Sequence, residues 1–222
     1  MSIKVENIDV WGFEHAIRGM RNPKNSWEKS DSYSECEKEW GFCSGGKCFI
    51  GQNDLTLMRR LYKGGSEHRK YLRQIFVSMD ITAPLYWWKE FDTYKVGTVA
   101  NSCSTMHKIA DKEFTLSDFS CEHLRNYYQD GKPCREFCET LRLLIDDLNA
   151  ARESYLATND KMWWWQMIQL LPTSYNQRRT VTLNYENVVT IIKQRTGHKL
   201  DEWNTFIKEL KKLPYVKEII ED

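Results

Sequence analysis

The sequence has no apolar run of 18 residues, and its first residues, MSIKVENIDVWGF, contain no signal-peptide core. These absences argue against a membrane-spanning helix and a secretory leader. The chain also lacks a surplus of charge, because 32 basic and 31 acidic residues leave a formal net charge of +1. Such a chain does not bind nucleic acid or an anionic membrane through bulk electrostatics. We therefore predict a cytoplasmic protein with neither partner.

The sequence also lacks the short motifs of several enzyme classes. No G-x-S-x-G, H-E-x-x-H, G-x-x-x-x-G-K or G-x-G-x-x-G pattern occurs in it. These absences argue against α/β-hydrolases, zinc proteases, P-loop proteins and Rossmann dinucleotide sites. The five histidines are scattered along the chain. There is no repeat, low-complexity tract or linker, so we predict one domain over residues 1–222.

Seven cysteines, an odd number, fit reduced thiols better than a disulfide framework. Three of them, Cys36, Cys43 and Cys48, lie in a polar stretch over residues 24–50, which raises the alternative of a zinc site. They form no C-x-x-C pair, and the preceding histidine, His15, is distant in sequence. We therefore predict a variable loop over residues 24–50 and no metal site.

What is present is the composition of an ordinary globular protein. The 222 residues are 41% hydrophobic, which is enough for one sizeable core. Nine tryptophans and eleven tyrosines are many for this length. Such side chains favour large aromatic contacts, either in a core or between subunits.

Hydrophobic periodicity and capping residues indicate a mixture of strands and helices. We predict strands over residues 3–10 and 74–82, and helices over residues 13–20, 53–63, from 66, from 84, 134–158, from 161, 184–196 and 201–213. Residues 74–82 alternate, which is typical of a half-buried strand. The predicted fold class is therefore α+β, with an antiparallel sheet flanked by helices.

The helix over residues 184–196 carries an arginine in line with an apolar stripe. Asn184 is a candidate N-cap, and Gly197 supplies a left-handed residue that closes many helices. Arg195 follows Val188 and Ile192 on one face by the i, i+3, i+4, i+7 rule. Its guanidinium either snorkels to the rim of the core or pairs with something anionic and buried.

The region around this helix resembles the C-terminal nucleotide-binding region of the flavin-dependent thymidylate synthases, the ThyX family. The matching residues, in order and without a gap, are Leu171, Pro172, Arg178, Thr182, Asn184 and Arg195. A looser echo follows at His198, Glu202 and Trp203. The resemblance implies that Arg178 binds the phosphate of deoxyuridine monophosphate and that Arg195 binds its uracil edge. A planar guanidinium suits both tasks.

A second resemblance covers the strand over residues 74–82, the Ala83-Pro84 step and the aromatic helix that follows. In the family these elements lead into the signature R-H-R-x-x-S-x-N-x-x-S-x-R. The positions of Arg-His-Arg and the first serine are taken here by Thr93, Tyr94, Lys95 and Thr98. The resemblance makes these four residues the candidate cofactor-binding set. A shorter segment, Ala16–Arg21 with the sequence AIRGMR, also resembles the family's N-terminal A-V-R-A-A-R helix.

The rest of the signature can be aligned in two registers. One inserted residue places Asn101 and Ser104 at the Asn and second Ser positions, with Met106 in place of the final arginine. Without the insertion those positions fall on Ala100, Cys103 and Thr105. We prefer the insertion because it recovers two functional residues together. The resemblance then makes Asn101 and Ser104 substrate-binding residues, with Arg195 and Ser104 as the catalytic candidates.

The flavin-binding motifs of the family are eroded. The Arg-His-Arg cluster keeps a cation only at Lys95, and the family's Thr-Pro-x-Glu-His aligns with residues 70–74, KYLRQ, with no match. Each lost hydrogen bond to a charged group contributes roughly 1.5–3 kcal/mol. Tyr94 could instead stack on the isoalloxazine. We therefore expect weak or absent binding of FAD relative to an ordinary family member.

The resemblance implies a divergent enzyme that methylates, or otherwise modifies, deoxyuridine monophosphate at carbon five. It also implies FAD, NADPH and methylenetetrahydrofolate as cofactor and co-substrates, and a homotetramer whose sites use more than one subunit. Two alternatives remain open. One is a non-catalytic nucleotide-binding homologue that has lost flavin, and the other is a structural or interaction protein that uses only the fold.

Overall fold

A computed structural model of the protein describes residues 3–35, 38–39, 42–43, 47–130 and 132–221, and the side chains in these ranges except those of 38–39, 42–43 and 132–135. Its strands are β1 Lys4–Trp11, β2 Tyr33–Glu35, β3 Lys38–Glu39, β4 Phe42–Cys43, β5 Lys47–Phe49, β6 Phe76–Pro84, β7 Thr98–Ser102, β8 Asn126–Gln129, β9 Lys132–Glu136 and β10 Asn176–Asn184. Its α-helices are α1 Phe13–Arg21, α2 Gln52–Lys63, α3 Leu85–Phe91, α4 Thr105–Lys108, α5 Phe137–Thr158, α6 Lys161–Leu170, α7 Tyr185–Arg195, α8 Asp201–Leu210 and α9 Val216–Ile220.

The main sheet has four strands in the order β1-β6-β10-β7. Side-chain hydrogen bonds show that its central pair is antiparallel. Thr180 on β10 donates to Asp80 on β6 over 2.6 Å, and Thr182 donates to Ser78 over 3.2 Å. Residue numbers therefore increase along β10 where they decrease along β6. The predicted α+β fold with an antiparallel sheet flanked by helices is confirmed.

Strand β6 shows why the alternating pattern was informative. Ile75, Val77, Met79 and Ile81 are all buried, as expected for one face of a strand packed on a core. The aromatic helix α3 follows directly, with Pro84 as its N-cap residue. A proline before the first turn has no N–H to leave unsatisfied, so the strand passes into the helix without a loop.

The chain divides into two compact units. One contains the residues up to 4, 81–93 and 101–179, and the other contains 5–80, 94–100 and 180 onward. The division falls within β6 and β10, so both strands contribute residues to each unit. The single domain over residues 1–222 stays a prediction.

The first unit is built around the pair α5 and α6. Leu141, Ile145 and Leu148 of α5 are buried with Met167 of α6. The tryptophan run of α6, residues 163–165, is not buried on every side, because Trp165 is 43% exposed. Three consecutive helical residues point about 100° apart, and in the described structure the contacts of α6 are chiefly with α5.

Three other segments differ from their sequence predictions. Cys134 lies in β9, which pairs with β8 across the Asp130 turn, so the helix predicted over residues 134–158 begins only at Phe137. The stretch after Ser66 forms turns and a 3-10 helix over Lys70–Gln74 rather than an α-helix, because it must reach β6 within a few residues. The predicted loop over 24–50 contains β2 and β5, which pair as a hairpin.

Within the described ranges, none of the helices is both long enough and apolar enough to cross a membrane. Cys36 and Cys43 lie among the residues whose side chains are outside the description. Among the side chains that are described, no three from His, Cys, Asp and Glu converge as metal ligands do.

Candidate functional site

Helix α7 forms as its sequence predicts and places Arg195 in its last turn. The Asn184 side chain caps the helix by accepting from the Asn187 N–H over 3.1 Å. Gly197 has a φ of 76°, the left-handed conformation that follows many helix ends. Val188, Ile191 and Ile192 are buried on the inner face, and Arg195 extends that face half-buried.

The Arg195 guanidinium is held by aromatic side chains. Its Nε donates to the Tyr94 hydroxyl over 2.9 Å. Its central carbon lies 4.6 Å from the Trp203 ring centroid and 5.6 Å from the Tyr94 ring centroid. Cation–π attraction at such distances contributes about 0.5–2 kcal/mol, more as the site loses water. The guanidinium therefore does not simply snorkel to solvent, since rings and a hydroxyl of its own unit hold it.

His198 lies beside the same guanidinium. Arg195 Nη1 is 3.2 Å from His198 Nε2, and the Leu200 N–H donates to His198 Nδ1 over 3.1 Å. The edge of the imidazole also faces Trp203, with ring centroids 6.2 Å apart. The backbone at Leu200 thus fixes the histidine against Arg195. We define Tyr94, Arg195, His198 and Trp203 as the Arg195 cluster.

A short segment over residues 94–98 covers the cluster and is tied to the start of α7. Asn187 Nδ2 donates to the Val96 carbonyl over 2.8 Å and to the Thr98 hydroxyl over 3.0 Å. Gly97 has a φ of 72°, and a Cβ there would lie 2.5 Å from Asn184 Nδ2. A residue with a side chain would strain the backbone and collide with the cap. We call residues 94–98 the Tyr94 strap.

Two of the predicted cofactor-binding residues have other positions. Lys95 is exposed on the strap. Thr93 belongs to the other compact unit, where its hydroxyl donates to the Glu90 carbonyl over 2.8 Å. Of the predicted set, the structure thus brings Tyr94 to Arg195 and Thr98 to Asn187. The cofactor-binding roles themselves stay predictions.

The predicted substrate residues Asn101, Ser104 and Arg178 also belong to the other unit. Asn101 is exposed on β7, and Ser104 caps α4 by accepting from the His107 N–H over 3.2 Å. Arg178 is exposed on β10, where its carbonyl accepts from the Cys103 N–H over 2.9 Å. The two possible registers for this segment, and the roles of these residues, stay predictions.

Arg179, next to Arg178, has a structural environment that its sequence position did not reveal. Its guanidinium lies 4.2 Å from the Trp88 ring centroid, and its Nη1 is 2.8 Å from Asp92. Its Nε donates to Gln177 Oε1 over 3.0 Å. These contacts join β10 to α3 and leave Arg178, not Arg179, as the exposed arginine of the pair.

The segments aligned with the family's flavin-binding motifs have internal partners. The Tyr94 hydroxyl lies 3.1 Å from Gln194 Oε1, to which it donates, besides accepting from Arg195. In the 70–74 segment Tyr71 and Leu72 are buried, and the Tyr71 hydroxyl donates to the Met58 carbonyl over 3.0 Å. A core tyrosine and leucine offer no donors to an isoalloxazine ring. Tyr94, Tyr71 and Leu72 therefore do not fit a flavin held by a cluster of cations, and the cations of these segments, Lys70, Arg73 and Lys95, are exposed.

Sequence reasoning missed two residues of the site. Asn187 lies within the predicted helix over residues 184–196, and nothing in the sequence indicated that its side chain anchors the Tyr94 strap. Gln194 is exposed on α7 and had no visible partner in the sequence, because Tyr94 is 100 residues away. The available signal for the strap was Gly97, a lone glycine after two bulky residues.

Two clefts lie elsewhere in the second unit. One, of about 1210 Å³, is lined by the start of α1, the β2–β5 hairpin and the segment before α9. The other, of about 350 Å³, lies along the outer face of α1. None of the sequence-predicted site residues lines either cleft. The Arg195 cluster is therefore a set of directly contacting side chains rather than the wall of one of these cavities.

No protein-family model matches the chain, and no curated protein matches it. Solved structures do. The flavin-dependent thymidylate synthase ThyX from Helicobacter pylori, complexed with FAD and dUMP, has a TM-score of 0.65 at 16% identity, over 100% of this chain and 99% of that one. A second structure of that enzyme with FAD and dUMP has a TM-score of 0.63 at 16% identity, over 100% and 98%.

A third similar structure is the UMP/dUMP methylase PolB from Streptomyces cacaoi, bound with 5-Br UMP. It has a TM-score of 0.58 at 14% identity, over 98% of this chain and 93% of that one. At such identities the likeness concerns the course of the backbone and not the side chains of a site. The chain has a ThyX-like fold throughout its length.

Proposed function

We propose that this protein binds a pyrimidine mononucleotide, with deoxyuridine monophosphate as the first candidate, and that Arg195 is its central contact. The observation that carries the proposal is the half-buried Arg195 guanidinium, held between Tyr94 and Trp203 at the end of α7. A planar cation that aromatic rings fix in place can present its donors to a carbonyl or phosphate oxygen with little loss of entropy.

The fold supports the choice of ligand. Proteins of the same fold are a thymidylate synthase crystallised with dUMP and a UMP/dUMP methylase crystallised with 5-Br UMP. In this chain Arg178 would bind the phosphate and Arg195 the uracil edge, with Asn101 and Ser104 as further substrate contacts. By the same resemblance the working protein would be a homotetramer of the 26.4 kDa chain, which light scattering would detect.

In the catalytic form of this proposal the nucleotide is methylated at carbon five. The carbon would come from methylenetetrahydrofolate and the reducing equivalents from NADPH, with FAD as the cofactor that supplies hydride. Arg195 and Ser104 would be the residues nearest the reaction. Formation of thymidine monophosphate from labelled deoxyuridine monophosphate, measured with added FAD, NADPH and methylenetetrahydrofolate, tests this form.

A second candidate is a nucleotide-binding homologue without catalysis. It is favoured by the hydrogen bonds of Tyr94 to Gln194 and Arg195, and by the burial of Tyr71 and Leu72. In this form the nucleotide binds but no thymidine monophosphate is formed, whether or not flavin is added. The turnover assay therefore separates the two candidates once binding has been established.

Binding itself is tested by calorimetric titration of deoxyuridine monophosphate into wild type, Arg195→Ala and Arg178→Ala. Removing either arginine should cost roughly 2–4 kcal/mol of affinity, as for truncating one partner of a desolvated charge pair. Arg142→Ala is the matched control, because Arg142 is 65% exposed on α5 and pairs only at the surface with Glu139. Thermal melts of each variant separate lost binding from lost stability. A wild type that shows no binding near millimolar nucleotide would overturn the proposal.

A further inference from the structure

The Tyr94 hydroxyl occupies the Nε donor of Arg195, which is one of the donors that a ligand oxygen could use. Arg195 Nε donates a hydrogen bond to this hydroxyl over 2.9 Å, and the hydroxyl donates to Gln194 Oε1 over 3.1 Å. Both partners lie in the last turn of α7. The Tyr94 hydroxyl thus forms hydrogen bonds with two side chains, Arg195 and Gln194, at the same helix end.

The Tyr94 ring adds a second contact with the same guanidinium. Its centroid is 5.6 Å from the central carbon of Arg195 and 6.1 Å from the Trp203 ring centroid, with the two rings edge to face. An oxygen of a nucleotide could reach Nε only where the phenol oxygen now lies. Tyr94 and a ligand that uses this donor are therefore mutually exclusive in the observed arrangement.

The strap is held at its other end by a residue that does not touch Arg195. Asn187, in the first turn of α7, donates to the Val96 carbonyl and to the Thr98 hydroxyl. The strap between these points is short and well exposed, with Val96 88% accessible. It buries little apolar surface, and segments with few buried contacts open at low free-energy cost. Moving it would break the hydrogen bonds of the Tyr94 hydroxyl and the Asn187 amide, and the contacts of the Tyr94 ring with Arg195 and Trp203.

We propose that Tyr94 is an intramolecular competitor for the nucleotide site, and that binding requires the Tyr94 strap to leave Arg195. This inference rests on the proposed function, since it concerns access to the same arginine. The apparent affinity is then the intrinsic affinity multiplied by the fraction of molecules with an open strap. A uracil carbonyl oxygen accepts hydrogen bonds through two lone pairs, as a phenol oxygen does, so the uracil edge can take the place of the Tyr94 hydroxyl on Arg195.

Two variants test the competition from opposite ends of the strap. Tyr94→Phe keeps the ring but removes the hydroxyl from Arg195 and Gln194, and we expect the Kd for deoxyuridine monophosphate to fall about tenfold. Asn187→Ala releases the strap without altering any group on Arg195, and we expect a fall of about threefold. Tyr128→Phe and Asn53→Ala are matched controls at exposed positions of other elements, and their Kd should equal that of wild type.

The outcomes separate this inference from the proposed function. Tighter binding by both strap variants than by wild type supports the competition. If wild type binds through Arg195 and both strap variants bind equally or more weakly, Tyr94 is not a competitor, and the proposed function stands. If neither wild type nor the variants bind at millimolar nucleotide while all melt as wild type does, both proposals fail.

Discussion

Arg21 donates from Nε to the Asp54 carboxylate over 2.6 Å, and the two side chains are only 4% and 0% exposed. Asp54 also accepts from the hydroxyls of Ser30 and Ser32, each over 2.7 Å. Arg21 donates further to the carbonyls of Ser26 and Lys29. This ion pair therefore joins α1, α2 and the polar segment between them. The second arginine of the AIRGMR helix is structural.

We expect Arg21→Ala to destabilise the protein by about 3–5 kcal/mol, because it leaves the buried Asp54 carboxylate without its charged partner. Arg18→Ala is the matched control, since Arg18 is exposed on the same helix and should change the free energy of unfolding by less than about 0.5 kcal/mol. Urea unfolding followed by circular dichroism measures both. Equal effects of the two substitutions would contradict the structural role of Arg21.

The same carboxylate predicts a dependence of stability on pH. Burial alone would raise the pKa of Asp54, but hydrogen bonds from Ser32 and Ser30 and the Arg21 guanidinium outweigh it, and the pKa lies below its ordinary value of 3.8. A lowered folded-state pKa gives stability that is present above 3.8 and is lost as the pH falls through the folded value. Asp54→Asn should remove this part of the acid dependence. An unchanged pH profile of unfolding in that variant would contradict it.

Cysteine reactivity gives a prediction that involves no ligand. Burial, and then the carboxylates of Glu14 and Asp54, raise the pKa of the Cys48 thiol to about 11. Only the thiolate reacts with iodoacetamide, so at pH 8 we expect Cys48 to be modified at least about tenfold more slowly than the exposed Cys103. Peptide mass spectrometry over a time course compares the two. In urea the difference should vanish, because unfolding removes the burial and the neighbouring carboxylates.

The sequence was most informative where a local pattern and a local cause coincide. Helix α7 was predicted within one residue at each end, since Asn184 and Gly197 act on their own neighbours. The alternation in β6 likewise predicted its buried face. The exposure of Trp165 in α6 had no local signal, because burial depends on what packs against a helix, and three adjacent tryptophans do not specify that.

The candidate site depends on contacts that no local pattern contains. Arg195 was identified from its place on an apolar face, which left open whether it met solvent or a buried partner. Its actual partner, Tyr94, is 101 residues away and was expected to face a cofactor. The resemblance predicted the fold because the order of elements determines how the backbone can pack. It could not predict side-chain pairs created by the substitutions themselves.

The contacts of Tyr94 also predict weak flavin binding. Its hydroxyl is engaged by Arg195, and Thr93 donates to the Glu90 carbonyl, so two of the three positions aligned with Arg-His-Arg have internal partners. We expect purified protein to show no flavin absorbance near 450 nm, and added FAD to bind with a Kd weaker than about 10 μM, on the order of −7 kcal/mol. Fluorescence quenching of FAD measures this. A protein that purified yellow would show that other residues compensate.

The last prediction concerns the turn that shapes the Tyr94 strap. Gly97 and Gly65 both have positive φ, 72° and 96°, so alanine is strained by a similar amount at either position, roughly 1–2 kcal/mol. They differ in their surroundings. A Cβ on Gly97 would lie 2.5 Å from Asn184 Nδ2, whereas a Cβ on Gly65 would meet nothing within 4 Å.

Gly97→Ala should therefore destabilise the protein more than Gly65→Ala, by about 0.5–2 kcal/mol, since the Asn184 cap must also move. The two variants share the backbone strain, so the difference between their free energies of unfolding isolates the contact with the cap. Hydrogen exchange of the Asn187 amide gives an independent measure, because that N–H is the donor to Asn184. It should exchange faster in Gly97→Ala and at the wild-type rate in Gly65→Ala. Equal destabilisation with equal exchange would mean that the strap does not rest on the start of α7.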